Sequence, residues 1–434
     1  MPTIGRPARK RDSSSAANRS SWPTPVSDQK FWVGLDQVAS SATNFGGSAL
    51  AAGLLGARDF GAWAIGYTVL LVALTAVRTW TGDSLMLLAP KTGDPGGLLA
   101  KGCATFAGLV GIGAALIVFV SGSLTHDAVQ DALWSVAICL PFVLLQDALR
   151  YALLALRRAR AAFGNDLLWF VLSTSTLMAL RRTDTQSVSL AMLAWAGSTL
   201  PCVLLGLAQT GVRLELRSAG RWIAESRSIA SRILAEYVVF MMSSIVMLTI
   251  VVGVTGDIAG VGSIRGAQVL MGPVTILFAA STMYLQPILV RAYTNGDSIL
   301  GRGVRQSVVN VIGTTTWLLV LFFVPRNVGT RVFGFTWDGS RSYLPLVGLV
   351  VFAAASSTGA INVLRSSGRV ADSLRAHALI ATIVILSTAT GAIGWRANGA
   401  VYAFAVSSLV GPILLWSTVR RTRHGAWIAH PTTA

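Results

Sequence analysis

Charged residues are scarce in this sequence. They make up 12% of the 434 residues, whereas 53% are hydrophobic and the mean hydropathy is +0.62. Soluble globular domains carry about 25% charged residues, so the composition excludes a soluble enzyme, a disordered chain and a fibrous repeat. Hydrophobic residues run through the whole chain after about residue 30. This distribution favours one polytopic membrane domain over a soluble domain with an anchor.

Cysteine and histidine are also few and isolated. Cys103, Cys139 and Cys202 fall in apolar segments without paired spacing, which excludes a disulfide framework. None of the four histidines stands near a second candidate ligand in sequence, so we predict no metal and no cofactor. The P-loop, HExxH and GxSxG motifs are absent from the sequence, and we classify the protein as a non-enzyme. A membrane-embedded glycosyl- or acyltransferase would need catalytic acids or histidines on a sizeable loop, and none is evident.

Long apolar segments are what the sequence does contain. A helix of roughly 20 apolar residues spans a bilayer, and twelve such segments fit along the chain. We therefore predict an all-α integral membrane protein, with about 12 transmembrane helices in two pseudo-symmetric six-helix bundles around a central cavity. The predicted spans lie near residues 31–56, 61–89, 102–124, 129–155, 164–181, 187–209, 232–253, 258–290, 306–325, 342–364, 375–395 and 398–419.

The positive charges support this topology. With the amino terminus inside, 25 of the 35 Lys and Arg residues fall in inner segments and 7 in outer ones, as expected when basic loops stay cytoplasmic. Both termini are then cytoplasmic, and the net charge of +17 faces anionic lipid rather than nucleic acid. The predicted organisation is a disordered basic tail (1–30), a first bundle (31–210), a cytoplasmic linker (211–231), a second bundle (232–419) and a second tail (420–434).

The two halves look alike at an offset of about 200 residues. Asp36 and the later pair Thr43-Asn44 match Glu236 and Ser243-Ser244, and the turn Gly56–Gly61 matches Gly256–Gly260. An internal duplication with an even number of helices gives two halves of the same orientation. Chance is the alternative, because short polar matches between apolar helices are common.

Polar residues recur on one face of the first span. Asp36, Ser40, Thr43 and Asn44 follow helical spacing. Small polar residues allow helices to pack closely, so this face is either a packing surface or the wall of a water-filled cavity. The acid and the amide on the same stripe favour the cavity.

Two further groups of charges lie inside predicted spans. Arg78 is deep in the second span, where an arginine costs about 2.5–3.5 kcal/mol on insertion scales. Asp83 follows at a spacing of five, which suits no pair within one helix, so both residues either line a polar route or pair with other helices. Asp147 and Arg150 are three apart and favour a structural pair.

The second half offers fewer charged candidates. Arg265 lies between Gly262 and Gly266 and is the main cationic candidate there, although an arginine near the outer end of a span can also reach the surface. Glu236 is a candidate cavity acid, or it pairs with Arg232 at a spacing of four.

The opening of the chain resembles a known family. The stretches Leu35-Asp36-Gln37, Asn44-Phe45 and Leu54–Trp63, continuing through Arg78 to Leu88, are similar to the start of polysaccharide exporters. These form the O-antigen flippase branch of the multidrug/oligosaccharidyl-lipid/polysaccharide (MOP) flippase superfamily. The resemblance covers the first two helices well and the rest by architecture. This chain accommodates twelve helices, whereas the lipid II flippases have fourteen.

The resemblance implies an alternating-access flippase in the bacterial plasma membrane. Its substrate would be a polyprenyl-pyrophosphate-linked oligosaccharide, with glycosyltransferases or a polymerase as partners and no nucleic acid. The expected substrate-binding residues are Arg78, Arg265, Asn44 and Ser40, and the expected ion-coupling or cavity acids are Asp36, Asp83 and Glu236. Two alternatives remain: a multidrug cation antiporter of the same superfamily, and a non-transporting scaffold of cell-wall assembly.

Overall fold

The computed structural model describes residues 26–89, 97–183, 185–242 and 252–426, and no strand occurs in these ranges. The all-helical fold class is confirmed. The helices of the first half are α1 (Val26–Leu54), α2 (Ala57–Arg78), α3 (Ser84–Leu88), α4 (Gly97–Gly122), α5 (Asp127–Ala155), α6 (Ala159–Arg182), α7 (Val188–Met192) and α8 (Thr199–Thr210), and α9 (Leu216–Met242) leads from the first half to the second. Those that follow are α10 (Ile258–Leu270), α11 (Gly272–Thr294), α12 (Leu300–Phe322), α13 (Arg326–Phe333), α14 (Trp337–Ser366), α15 (Val370–Ser408) and α16 (Val410–Ala426).

Some of these helices follow one another without a loop and form one longer helical segment. A π-helical turn at Thr79–Asp83 joins α2 to α3, and a second at Leu193–Gly197 lies between α7 and α8. Within the described ranges, six helical segments, single or joined, are long and apolar enough to cross a membrane. The number is seven when the bent pair α10 and α11 counts as one span. One of the six, 52 residues long, is interrupted at Trp395 and Arg396, where the backbone leaves the helical region. Twelve spans therefore stays a prediction.

The boundaries differ from the sequence expectation at three places. Helix α1 begins at Val26 rather than near residue 31, and residues 1–25 of the predicted tail lie outside the described residues. Most of the predicted linker is helical, because α9 runs without a break from Leu216. The predicted span 258–290 is broken between α10 and α11 with a bend of 52°. Pro273 lies just after this break, where its missing N–H removes a helical hydrogen bond.

The two halves touch at the ends that the charge distribution assigns to the outer side. Gly61 of α2 lies against the backbone carbonyl of Ile258, and a Cβ on Gly262 would lie 2.7 Å from the Ala57 oxygen. The Thr336 hydroxyl also donates to the Ala52 carbonyl at 3.3 Å. The two turns that match in sequence thus lead into helices that face each other. Glycine permits this contact because only a residue without Cβ lets two helix backbones approach so closely.

Candidate functional site

A cavity of about 650 Å³ lies between the two halves. Helices α1 and α2 contribute one wall, and α10, α11, α14, α15 and α16 contribute the others. Most of the lining is aliphatic, and the polar groups lie chiefly on the wall where the halves meet. The polar or aromatic lining residues are Ser41, Asn44, Phe45, Tyr67, Arg265, Gln268, Thr275, Phe278, Ser357, Thr358, His377 and Ser408.

Arg265 is the central charge where the two halves meet at the cavity. It extends from α10 of the second half onto the first half, where its Nη2 donates to Ser48 Oγ at 3.0 Å. Its Nη1 donates to Gln268 Oε1 at 3.1 Å, and its guanidinium carbon lies 4.0 Å from the centroid of the Tyr67 ring. Arg265 therefore lies across the contact between the halves, held by a hydroxyl, an amide and an aromatic face.

Tyr67 is held firmly under Arg265 by other aromatic rings. Its ring centroid lies 5.1 Å from that of Trp63 and 5.2 Å from that of Trp195. The Trp195 indole donates to the Thr43 carbonyl of α1 at 3.2 Å, and it packs directly on Gly47. A side chain at position 47 would overlap the indole. The glycine thus lets the aromatic cluster sit against α1 and fixes the ring that Arg265 covers.

The charges around this cavity have one sign. Among the lining residues that the structure describes, none is Asp or Glu, and Arg265 forms no ion pair with a described carboxylate. Two buried donors on this wall, Arg265 Nε and Gln268 Nε2, have no hydrogen-bond partner among the described atoms. An unsatisfied buried donor costs about 1–3 kcal/mol. The wall therefore carries a cation and two buried N–H groups that have no described acceptor.

His377 of α15 is the histidine among the described lining residues. The side chain is buried, and its Nδ1 donates to the Ser373 carbonyl at 2.8 Å. The sequence alone indicates no role for His377, because a single histidine near the start of a span has no partner in sequence. Only the fold places it on the same cavity as Arg265.

A network of buried charges forms a separate polar region inside the first half. Arg150 of α5 donates from Nε and Nη2 to Asp36 Oδ2 at 2.9 and 2.6 Å. The same Nε lies 3.0 Å from Asp166 Oδ2 of α6, and Gln146 donates to Asp166 Oδ1 at 2.8 Å. Asp36 and Asp166 are both 1% exposed. Arg150 thus links three helices, α1, α5 and α6.

Arg78 joins this network through a bidentate pair. Its Nε and Nη2 donate to Asp147 Oδ2 and Oδ1 at 3.0 and 2.7 Å. Asp147 in turn lies 4.0 Å from Arg150, so the predicted pair is present at the limit of an ion pair while both residues bond more closely to other helices. The Tyr151 ring lies 5.9 Å from each guanidinium carbon. Arg78, Asp147 and Arg150 therefore tie α2 to α5.

The other predicted site residues are distributed between the two regions. Asn44 lines the cavity and donates to the Ser40 carbonyl at 3.0 Å, whereas Ser40 is buried and outside the described lining. Asp83 lies in the π-helical turn after Arg78 and forms no described ion pair. The backbone of Glu236 belongs to α9, and its side chain lies outside the described residues.

The ion network contains three residues that sequence analysis missed: Asp166, Asn165 and Gln146. Asn165 and Asp166 are an adjacent amide and acid at the start of an apolar span, and this pattern could have indicated a buried polar group. Asn165 accepts from Gln146 at 3.2 Å and donates to the Cys202 carbonyl at 2.8 Å. In the part of the chain that the structure describes, no cluster of three His, Cys, Asp or Glu side chains suits a metal ion.

Comparison with known proteins finds relatives by structure alone. No family model and no curated protein matches the sequence. The fold is similar to an inward-facing multidrug resistance MATE family transporter of the MOP superfamily, with TM-score 0.64 and 13% identity over 89% of this chain and 96% of that one. A MATE in a bent conformation gives TM-score 0.55 and 13% identity over 92% and 95% of the chains, and an outward-facing transporter of that family gives 0.50 and 12% over 91% and 95%. The chain therefore has the fold of MATE transporters of the MOP superfamily.

Proposed function

We propose that this protein is a flippase that moves a polyprenyl-pyrophosphate-linked oligosaccharide from the cytoplasmic to the outer leaflet by alternating access. The fold supports a transporter, because proteins of this fold are known in inward-facing and outward-facing conformations. The resemblance of the first two helices to polysaccharide exporters supports the glycan lipid as substrate. The bacterial plasma membrane is the expected location, with both termini in the cytoplasm.

The observation that carries the proposal is that Arg265 lines the cavity and forms no ion pair with a described carboxylate. A cavity for cationic drugs is expected to present carboxylates on its lining, and the described lining has none. A diphosphate is a strong acceptor for a guanidinium and for amide N–H groups. Arg265, Gln268 and Asn44 supply such donors on one wall, while the aliphatic residues of α14 and α15 suit the first isoprene units of a lipid.

The position of Arg265 also suggests how binding is coupled to movement. Arg265 reaches across the contact between the halves to Ser48 and Tyr67. A diphosphate in the cavity competes for the same guanidinium, which weakens this contact and favours opening at the outer ends. Movement of an anionic headgroup outward is further favoured by an inside-negative potential, at about 2.3 kcal/mol per charge per 100 mV.

Translocation by purified protein in proteoliposomes tests the proposal. Arg265→Gln is expected to abolish movement of a short-chain polyprenyl-pyrophosphate oligosaccharide, and Arg265→Lys is expected to retain part of it because a lysine keeps the charge. Arg182→Gln, an exposed arginine at the outer end of α6, is the matched control. Full activity of Arg265→Gln, or efflux of a cationic drug that depends on Arg265, would contradict the proposal.

The multidrug antiporter remains the second candidate, since the structural relatives are named as multidrug transporters. Under that alternative the acids of the ion network would have to serve the cation. Asp36, Asp147 and Asp166 are instead bonded to two arginines and lie outside the described cavity lining. A drug-efflux assay in cells that express the protein separates the two functions.

A further inference from the structure

The first half of α9 presents an exposed surface that combines basic and apolar residues. Arg217 and Arg221 lie one turn apart on one stripe of the helix. Leu216 and Ile223 lie on the neighbouring stripe and are 73% and 40% exposed, and Arg227 extends that stripe by one more turn. We call these five residues the α9 surface. All five are exposed, although two are large hydrophobic side chains.

The opposite face of α9 is fixed against α4. The carbonyl of Ser218 and the Cβ of Trp222 lie 2.6 and 2.8 Å from where a Cβ on Gly102 would be. Thr105 Oγ1 of α4 lies 3.3 Å from the Ser218 hydroxyl. Because these contacts hold one face of the helix to the protein, the α9 surface points away from it.

The contact with α4 also sets the height of this surface relative to the membrane. Helix α4 is one of the apolar helical segments long enough to span a bilayer, and it begins at Gly97. Gly102 lies about one and a half turns inside that end. With the sidedness that the basic residues predict, we expect Arg217 and Arg221, which flank the residues packed on Gly102, to lie at the level of the cytoplasmic headgroups.

The described acids of the protein do not neutralise the charges of this surface. Glu215 and Glu225 are the nearby acids of the segment, and neither forms an ion pair with Arg217, Arg221 or Arg227 among the described residues. A phosphate with an acyl chain satisfies both kinds of side chain at once, because guanidinium groups bind the phosphate and leucine or isoleucine contacts the chain. A purely water-soluble polyanion would leave Leu216 and Ile223 unburied.

We propose that the α9 surface binds an anionic phospholipid of the cytoplasmic leaflet, with Arg217 and Arg221 on its phosphate and Leu216 and Ile223 against its acyl chains. The site is separate from the cavity, and it holds the helix that connects the two halves at the membrane surface. Lipid occupancy there is independent of what the cavity transports.

Native mass spectrometry of the full chain, released from nanodiscs of equal parts phosphatidylglycerol and phosphatidylcholine, tests this site. The unchanged protein is expected to retain phosphatidylglycerol in preference to phosphatidylcholine. Arg217→Gln/Arg221→Gln is expected to lower that preference by roughly tenfold or more, since each basic side chain near an anionic surface contributes about 1 kcal/mol. Arg217→Lys/Arg221→Lys is expected to keep most of it.

Two further variants make the result decisive. Arg182→Gln/Arg331→Gln removes two exposed arginines from the opposite end of the molecule and is expected to leave lipid retention unchanged. Leu216→Ser/Ile223→Ser is expected to weaken it several-fold. Equal retention by Arg217→Gln/Arg221→Gln and the unchanged protein would overturn the proposal. Full retention by Leu216→Ser/Ile223→Ser, with displacement of the lipid by soluble polyglutamate, would also overturn it, because the surface would then recognise charge alone.

Discussion

The buried ion network and the central cavity differ in how their arginines are partnered. In the network, Arg78 and Arg150 face three carboxylates at 2.6 to 3.0 Å. At the cavity, Arg265 is held by an amide, a hydroxyl and a ring, with no described acid. An arginine surrounded by acids joins helices to each other, whereas an arginine without an acid remains available to an anion. Under the proposed function, the same residue type would serve structure in one region and recognition of the substrate in the other.

The largest expected effect follows from removing the cation at the centre of the network. Arg150→Met leaves Asp36 and Asp166 buried without their common partner, and breaking a buried pair costs about 3–5 kcal/mol. We expect a large drop in the thermal unfolding temperature, measured on purified protein by size-exclusion chromatography after heating. Adding Asp36→Asn to Arg150→Met should recover part of the loss. An unfolding temperature equal to that of Arg182→Met, an exposed control, would show that the network does not stabilise the fold.

Arg265→Ala should leave the stability of the protein nearly unchanged and lower its transport activity. Because no described carboxylate depends on this arginine, we expect the unfolding temperature to stay within a few degrees of that of the unchanged protein. Transport should nonetheless fall by roughly 100-fold, the order expected when a charge-assisted contact of about 3 kcal/mol is lost. Initial translocation rates and unfolding temperatures measured on the same preparation check both parts. A variant that is as unstable as Arg150→Met would place Arg265 among the structural arginines.

A substitution at the contact between the outer ends should change the conformation of the two halves without altering the charged residues of the cavity. Gly61→Leu places a side chain where the Ile258 carbonyl lies, so we expect the outer ends to separate and the outward-open population to rise. Distances between spin labels on the outer ends of α2 and α10 should lengthen. Gly164→Leu, in open space on α6, is the matched control and should leave them unchanged. Unaltered distances in Gly61→Leu would show that this contact does not hold the closed conformation.

The smallest expected effect concerns the ring under Arg265. Tyr67→Leu removes a cation–π contact of about 0.5–2 kcal/mol, so we expect a decrease in substrate affinity of roughly two- to thirtyfold. Tyr67→Phe keeps the ring and should bind like the unchanged protein. Substrate affinities from titration of the labelled glycan lipid compare the two variants. Equal loss in both would show that the hydroxyl, and not the ring face, supports Arg265.

The fold was largely predictable from hydropathy, because apolar segments of spanning length and asymmetric basic loops constrain a membrane protein strongly. The position of Arg265 on the cavity was predicted as well. The partner of Arg78 was not, since Asp147 is 69 residues away and only the packing of α2 on α5 brings them together. Asp166 was also missed, although its position beside Asn165 at the start of an apolar span was a readable sign of a buried polar group. Sequence shows that a buried charge needs a partner, but tertiary packing selects which one.

The most direct test of the central claim is a binding competition on the purified protein. We expect a polyprenyl-pyrophosphate oligosaccharide to bind and inorganic pyrophosphate to compete with it. Arg265→Gln should abolish both interactions, and a cationic dye should bind neither protein. Binding of the cationic dye to the unchanged protein, with retention of the glycan lipid by Arg265→Gln, would contradict the claim that the cavity selects anions through this arginine.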